Sequence, residues 1–132
     1  LSSRSSRMEN GTRSYSWIHV TGDTTQKRAY LTEGPLKGDI ASYFANNALF
    51  VCLGGVNAHK GLRETLLSLG VTEVMEAMDM DQFTNPQVRQ AIGILRREVQ
   101  SIQGIRYYQC TWNPRFKGVD DYLLDWTKRK TA

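Results

Sequence analysis

The sequence has few of the residues that build membrane spans, disulfide scaffolds and zinc sites. No window approaches the roughly 18 consecutive apolar residues of a membrane-spanning helix, so we expect no membrane partner. The 132 residues include two cysteines and two histidines, and no Cys/His cluster that would predict a zinc site. Apolar residues make up 40 % and charged residues 23 %. This composition excludes collagen and wholesale disorder, and its length predicts one globular domain.

The two cysteines indicate the redox environment. Cys52 and Cys110 both lie inside apolar runs, so we expect buried free thiols in a reducing compartment. No signal peptide is recognisable, and we therefore expect a cytoplasmic protein. The first residue is not Met, which predicts that the chain is a piece of a longer protein with further domains as partners.

The net charge of +4 is unevenly distributed along the chain. Residues 1–28 contain five basic and two acidic residues, and residues 126–132 add three basic residues. The remainder, 29–125, has nine basic and eleven acidic residues, a mild acidic excess. Basic ends around an acidic centre suit a polyanion held beside a metal–carboxylate site. Charge alone favours the simpler interpretation of solubilising ends.

From residue 28 onwards, strand and helix patterns alternate. Four apolar or alternating runs predict strands at 28–32, 49–53, 73–78 and 105–111. Helical spacing follows each of them, with an Asn85–Pro86 helix start and a Gly70 helix stop as the clearest local signals. This order predicts an α/β fold with a four-stranded, mainly parallel sheet and helices on both faces.

The remaining segments are assigned from composition. Residues 1–14 read as a linker or the remnant of a preceding domain, and 15–27 as a short strand and turn. We expect that short strand to form a β-hairpin with the strand at 28–32. The main domain is placed at 28–127, and 128–132 is assigned as a basic tail.

Carboxylates follow two of the predicted parallel strands. Glu33 follows the first of them, and Asp79 and Asp81 follow the third. In parallel α/β sheets the chemistry lies at the carboxyl ends of the strands, so the three are expected to meet there. Crowded carboxylates repel one another, and a hard cation such as Mg²⁺ relieves that repulsion. Taken alone, an acidic loop is more often merely solvated.

The other strand ends carry residues suited to phosphate. Lys37 lies in the first helical turn after Glu33, and Gly54 and Gly55 leave open backbone after the second strand. A further set of candidate contacts to phosphate or nucleic acid follows the fourth strand: Lys117, Asp120 and Asp121. Glu76 is unusual inside a buried strand, and either faces an edge or pairs with a nearby arginine.

Three motifs in this set resemble the Toprim family. They are TEGPLKGDIA at 32–41, AMDMD at 77–81 and KGVDDYL at 117–123, and the resemblance covers residues 28–125. It is greatest to the uncharacterised Toprim-like domains in primase and replication proteins of phages and conjugative elements. The fold that it implies is a Rossmann-like, Toprim-like sheet.

The resemblance also implies a function. Asp79, Asp81 and Glu33 would hold Mg²⁺, or Mn²⁺, and Glu33 would act as the catalytic acid–base group in phosphoryl transfer on DNA or RNA. The domain would then be part of a larger Mg²⁺-dependent enzyme. Three alternatives remain open: a non-catalytic scaffold that binds nucleic acid or a nucleotide, a Toprim nuclease, and a receiver-like signalling domain. The order of the acidic motifs argues against the last.

Overall fold

A computed structural model describes residues 18–55, 60–79, 84–113 and 115–131. The predicted linker at 1–14 and the candidate ligand Asp81 lie outside these residues. The elements in chain order are β1 (Ile18–Thr21), β2 (Arg28–Glu33), α1 (Pro35–Phe44), β3 (Phe50–Leu53), α2 (Leu62–Leu69), β4 (Glu73–Glu76), α3 (Pro86–Gln100), β5 (Arg106–Gln109) and α4 (Val119–Thr131).

The strands form one mixed sheet in the order β1-β3-β2-β4-β5. β2 pairs in parallel with both β3 and β4, and β4 pairs in parallel with β5. The α/β class and the four parallel strands are therefore confirmed. The sheet has a fifth strand because β1 adds to it in the antiparallel direction.

The predicted hairpin between β1 and β2 is wrong. β1 pairs with β3, from Ile18 opposite Leu53 to Thr21 opposite Phe50. Both sides of β2 are already occupied by parallel neighbours, so β1 cannot pair with β2 and pairs with the free side of β3. Gly22 allows the chain to turn there, with φ of 95°. A Cβ atom at this position would lie 2.1 Å from the Ala48 carbonyl oxygen and would clash with it. No other residue type fits that conformation at that distance.

The helix boundaries follow the local signals where those are strong. The Asn85 side chain accepts hydrogen bonds from the backbone N–H groups of Gln87 and Val88, and Pro86 occupies the first turn of α3. Gly70 ends α2 in the left-handed conformation, with φ of 69°. The segment predicted as a basic tail at 128–132 is mostly helical, because α4 continues to Thr131.

Helices cover both faces of the sheet, as predicted. Alternate residues of a strand point to opposite faces. One face packs against α2 and α3 through a cluster that includes Leu31, Val51, Leu66, Ile92 and Leu95. The other face packs against α1 and α4 through a smaller cluster that includes Ala41, Phe50, Cys52, Trp112 and Val119. None of the described helices is both long and apolar enough to cross a membrane.

Both cysteines are free thiols, as predicted. Cys52 is buried, but Cys110 is only half-buried, so the expectation of full burial is wrong for the second thiol. Burial, with a smaller effect from the charge of Asp39, raises the pKa of Cys52 to about 12. The thiol of Cys52 is therefore neutral at physiological pH and serves as a small apolar group in the core.

Candidate functional site

The order of the parallel strands creates a switch point between β2 and β4. From β2 the chain crosses through α1 to β3 on one side, and it later returns past β2 to β4 on the other. In open α/β sheets, ligands bind in the crevice beyond the carboxyl ends of the strands at such a point. Glu33 is the last residue of β2, and Asp79 lies shortly beyond the end of β4. The two predicted carboxylates thus flank the switch point.

A cavity of about 390 Å³ lies at this position, and the described residues that line it are Glu33, Lys37, Met78, Asp79, Val88, Ile92 and Lys117. The structure therefore brings together four of the sequence-predicted site residues from three separate segments of the chain. Sequence reasoning missed Val88 and Ile92 as parts of the site. Both belong to the apolar face of α3, and that pattern by itself indicates only a buried helix face.

Lys37 is directed at Asp79 by the way α1 begins. Gly34, with φ of 89°, turns the chain after β2, and Pro35 starts the helix. Gly38 lets the helix lie close to β3, since a Cβ there would be 2.0 Å from the sulfur atom of Cys52. In this position the Lys37 ammonium donates a 2.8 Å hydrogen bond to Asp79 Oδ2.

The surroundings of Lys37 keep it charged. Partial burial lowers its pKa, but the hydrogen bond and charge of Asp79, together with the charges of Asp120 and Glu33, raise the pKa above its usual value overall. Three carboxylates from three different segments thus act on one ammonium group. The cavity therefore presents two carboxylates and two lysines, with the Asp120 carboxylate close enough to act on Lys37.

Asp79 is only partly satisfied. The residue is 7 % exposed, and its Oδ1 atom is buried with no hydrogen-bond partner among the described residues. Lys37 occupies the other carboxylate oxygen, Oδ2. Buried carboxylate oxygens almost always have a donor, and an unsatisfied one in a native structure marks a place for a water molecule, an ion or a ligand.

Asp120, at the start of α4, has the same feature. Its Oδ1 atom is also buried and has no hydrogen-bond partner in the part of the chain that the structure describes. Burial, and then the neighbouring charge of Asp121, raises the pKa of Asp120 above its usual range. The charge of Lys37 acts in the opposite direction, which places Asp120 within electrostatic reach of the cavity.

The other predicted site residues are less central. Gly54 and Gly55 lie at the same edge of the sheet, because the Gly34 N–H group donates a 2.7 Å hydrogen bond to the carbonyl oxygen of Leu53. They do not line the cavity. Asp121 is exposed, and its Oδ2 atom accepts a 3.4 Å hydrogen bond from the backbone N–H group of Gly118. Asp121 therefore orients the loop before α4.

The donor set fits a hydrated Mg²⁺ ion. Glu33 and Asp79 line the same cavity, and Asp79 Oδ1 is a buried oxygen ligand without a competing donor. Among the described residues, no group of three His, Cys, Asp or Glu side chains is close enough to enclose a metal. Mg²⁺ characteristically uses only one or two protein carboxylates and completes its octahedron with water and phosphate oxygens.

Glu76 belongs to a different cluster. Its carboxylate accepts hydrogen bonds of 2.9 and 3.1 Å from the Arg96 guanidinium and a further short one from the Tyr107 hydroxyl. Of the two interpretations of this residue, pairing with an arginine is confirmed. Glu76 is fully buried within β4 and is not among the described residues that line the cavity.

Comparison with known proteins adds no family assignment. The chain matches no protein-family model and no curated protein sequence. Function has to be inferred from the chemistry of the cavity and from the motifs that meet there.

Proposed function

We propose that the chain is a Mg²⁺-binding, Toprim-like domain that acts on nucleic-acid phosphates by metal-assisted phosphoryl transfer. In this proposal it forms part of a primase- or replication-type protein of a mobile element. One observation carries the proposal: Asp79 lies at the switch point of the sheet, with Lys37 on one carboxylate oxygen and no partner on the other. Glu33 lines the same cavity.

The charges of the cavity suit a phosphate group together with a cation. Mg²⁺, or Mn²⁺, bound there would neutralise charge on the phosphate and on the leaving oxygen. Asp79 would hold the ion, with Asp81 as a further proposed ligand. Glu33 would accept or donate the proton that moves at the reacting oxygen, and Lys37 and Lys117 would pair with phosphate oxygens.

The positions of the three motifs support the Toprim resemblance. The E-G-P-L-K-G segment contributes Glu33 and Lys37 to the cavity, the D-M-D segment contributes Asp79, and the K-G-V-D-D segment contributes Lys117. These segments are far apart in sequence. A purely structural domain has no reason to collect two acids and two lysines in one crevice at a switch point.

The Lys37–Asp79 ion pair also favours a second candidate, the non-catalytic scaffold. A lysine that already neutralises the central carboxylate reduces the electrostatic need for a cation. Such a cavity can bind a phosphate through its lysines and leave the chemistry to another domain. Measurement of metal binding and of turnover separates the two candidates.

The first test is stabilisation by Mg²⁺. A cation that binds only the folded state stabilises it by about 2.7 kcal/mol at a hundredfold excess over its Kd. Thermal melts with and without Mg²⁺ should show this increase in Tm for the wild type and little or none for Asp79→Asn. Asp39→Asn is the matched control, because Asp39 lies in α1 like Lys37 but pairs with His19 and is not among the described residues that line the cavity. Equal shifts in all three proteins would contradict the proposed site.

The second test distinguishes catalysis from binding. With Mg²⁺ or Mn²⁺ and a single-stranded or duplex nucleic acid, Glu33→Gln should lower phosphoryl transfer about a hundredfold or more. It should retain the stabilisation by metal, since Asp79 is unchanged. If the chain alone is inactive, the measurement is made in the full-length parent protein. A wild type that binds metal and nucleic acid without turnover would establish the scaffold.

A further inference from the structure

Two buried, unsatisfied carboxylate oxygens face the same small space in front of Gly118. Asp79 Oδ1 comes from the segment after β4, and Asp120 Oδ1 comes from the first turn of α4. A Cβ atom built on Gly118 would lie 3.3 Å from Asp79 Oδ1 and 2.6 Å from Asp120 Oδ1. Both oxygens are therefore within reach of one point, and a side chain at residue 118 would fill the space between them.

This arrangement is unfavourable without a cation. Two carboxylate oxygens near one point, with no donor to either among the described residues, repel, and burial of the Asp120 oxygen removes the water that would screen the repulsion. Lys37 relieves it only in part, because its charge acts on Asp120 but its hydrogen bond goes to the opposite oxygen of Asp79. A group that satisfies both oxygens must be small and positively charged, and it must prefer oxygen ligands.

We propose that Asp120 is a cation ligand together with Asp79, and that Gly118 keeps open the space in which a divalent cation, Mg²⁺ or Mn²⁺, contacts both oxygens. This inference rests on the proposed function and adds a ligand from the K-G-V-D-D segment. It also replaces the predicted role of Asp120 as a phosphate contact. A carboxylate repels a phosphate directly, but it can hold the metal that binds one.

The neighbouring residues agree with this division of roles. Asp121 is exposed, and its carboxylate accepts a hydrogen bond from the backbone N–H group of Gly118. This hydrogen bond orients the loop before α4. Gly118 does not adopt the left-handed conformation that favours glycine. Its lack of a side chain is therefore required by the nearby oxygens and not by the backbone.

The test is the affinity for Mn²⁺, measured on the full chain by electron paramagnetic resonance of the free ion. Asp120→Asn should weaken binding by about tenfold or more, the scale of losses when a metal site is perturbed. Gly118→Ala keeps every charge but fills the space, so we expect a similar loss. Asp121→Asn is the matched control. It removes the same charge one residue away, its amide oxygen can still accept the hydrogen bond from the Gly118 N–H group, and it should bind Mn²⁺ nearly as the wild type does.

Each result bears on the inference separately from the proposed function. If Asp79→Asn abolishes Mn²⁺ binding but Asp120→Asn and Gly118→Ala bind like the wild type, the role of Asp120 is refuted and the proposed function stands. Equal losses in Asp120→Asn and Asp121→Asn would show that net charge alone matters, which also refutes it. A wild type that binds no Mn²⁺ refutes both. Asp120→Asn is isosteric, so the test does not depend on the folding of Gly118→Ala.

Discussion

Glu76 and Asp79 are buried carboxylates three residues apart in the same segment, and their surroundings differ sharply. Glu76 is fully buried and accepts hydrogen bonds from two guanidinium nitrogens of Arg96 and from the Tyr107 hydroxyl. Asp79 is 7 % exposed but accepts one hydrogen bond, from Lys37, on one oxygen only. A satisfied buried charge holds elements together, whereas a half-satisfied one leaves binding capacity for a ligand.

The position along the chain explains the difference. Glu76 is still within β4, where α3 and β5 present Arg96 and Tyr107 on the same face of the sheet. Asp79 lies beyond the strand end, between the beginnings of α1 and α4, where the cavity is formed. A carboxylate inside the sheet therefore has hydrogen-bond donors from neighbouring helices and strands. A carboxylate beyond the strand ends has donors from the first turns of the helices that begin there.

The largest effect expected from this comparison is on stability at Glu76. Removing one partner of a buried ion pair costs about 3–5 kcal/mol. We expect the loss of stability in Glu76→Gln to lie near the lower end of this range, because the Arg96 side chain is 31 % exposed and retains some hydration. The free energy of unfolding in urea measures the loss.

Glu73→Gln is the control for that measurement. Glu73 lies in the same strand and also accepts hydrogen bonds from two arginines, Arg28 and Arg106. These side chains are 53 % and 67 % exposed, so water screens both pairs and Glu73→Gln should lose much less stability than Glu76→Gln. Similar losses in the two variants would mean that burial does not distinguish the Glu76 cluster.

A smaller effect of opposite sign is expected at Asp120 in metal-free buffer. Burial raises the pKa of Asp120, so the folded chain retains this proton to higher pH than the unfolded chain does. The charged form therefore costs stability, and Asp120→Asn should unfold at a higher urea concentration than the wild type near neutral pH. The advantage should grow as the pH rises above about 3.8, the usual value for Asp, and level off above the raised pKa.

Excess Mg²⁺ should reduce or reverse the difference in stability between Asp120→Asn and the wild type, because only the wild type would gain the full free energy of Mg²⁺ binding. Urea titrations with chelator and with Mg²⁺ over a range of pH give the comparison. A variant less stable than the wild type in chelator would show that the Asp120 carboxylate is a structural group like Glu76.

Much of the candidate site follows from the sequence. The strand patterns placed Glu33 and Asp79 at strand ends, and the rule for parallel sheets brought them to one edge. Lys37 and Lys117 followed from the same reasoning. The pairing partner of Glu76 could not be chosen from the sequence, because Arg96 is 20 residues away and its approach depends on how α3 crosses β4.

The sequence by itself determined the features that depend on contacts within a few residues. Asn85 caps α3, Gly70 ends α2, and the apolar runs form strands, because caps and side-chain periodicity act within one or two turns. Only the tertiary structure decided that β1 pairs with β3 and that Asp120 approaches Asp79 across Gly118. These pairings are set by which edge and which space the packed core leaves open, a property of the whole sheet and its helices.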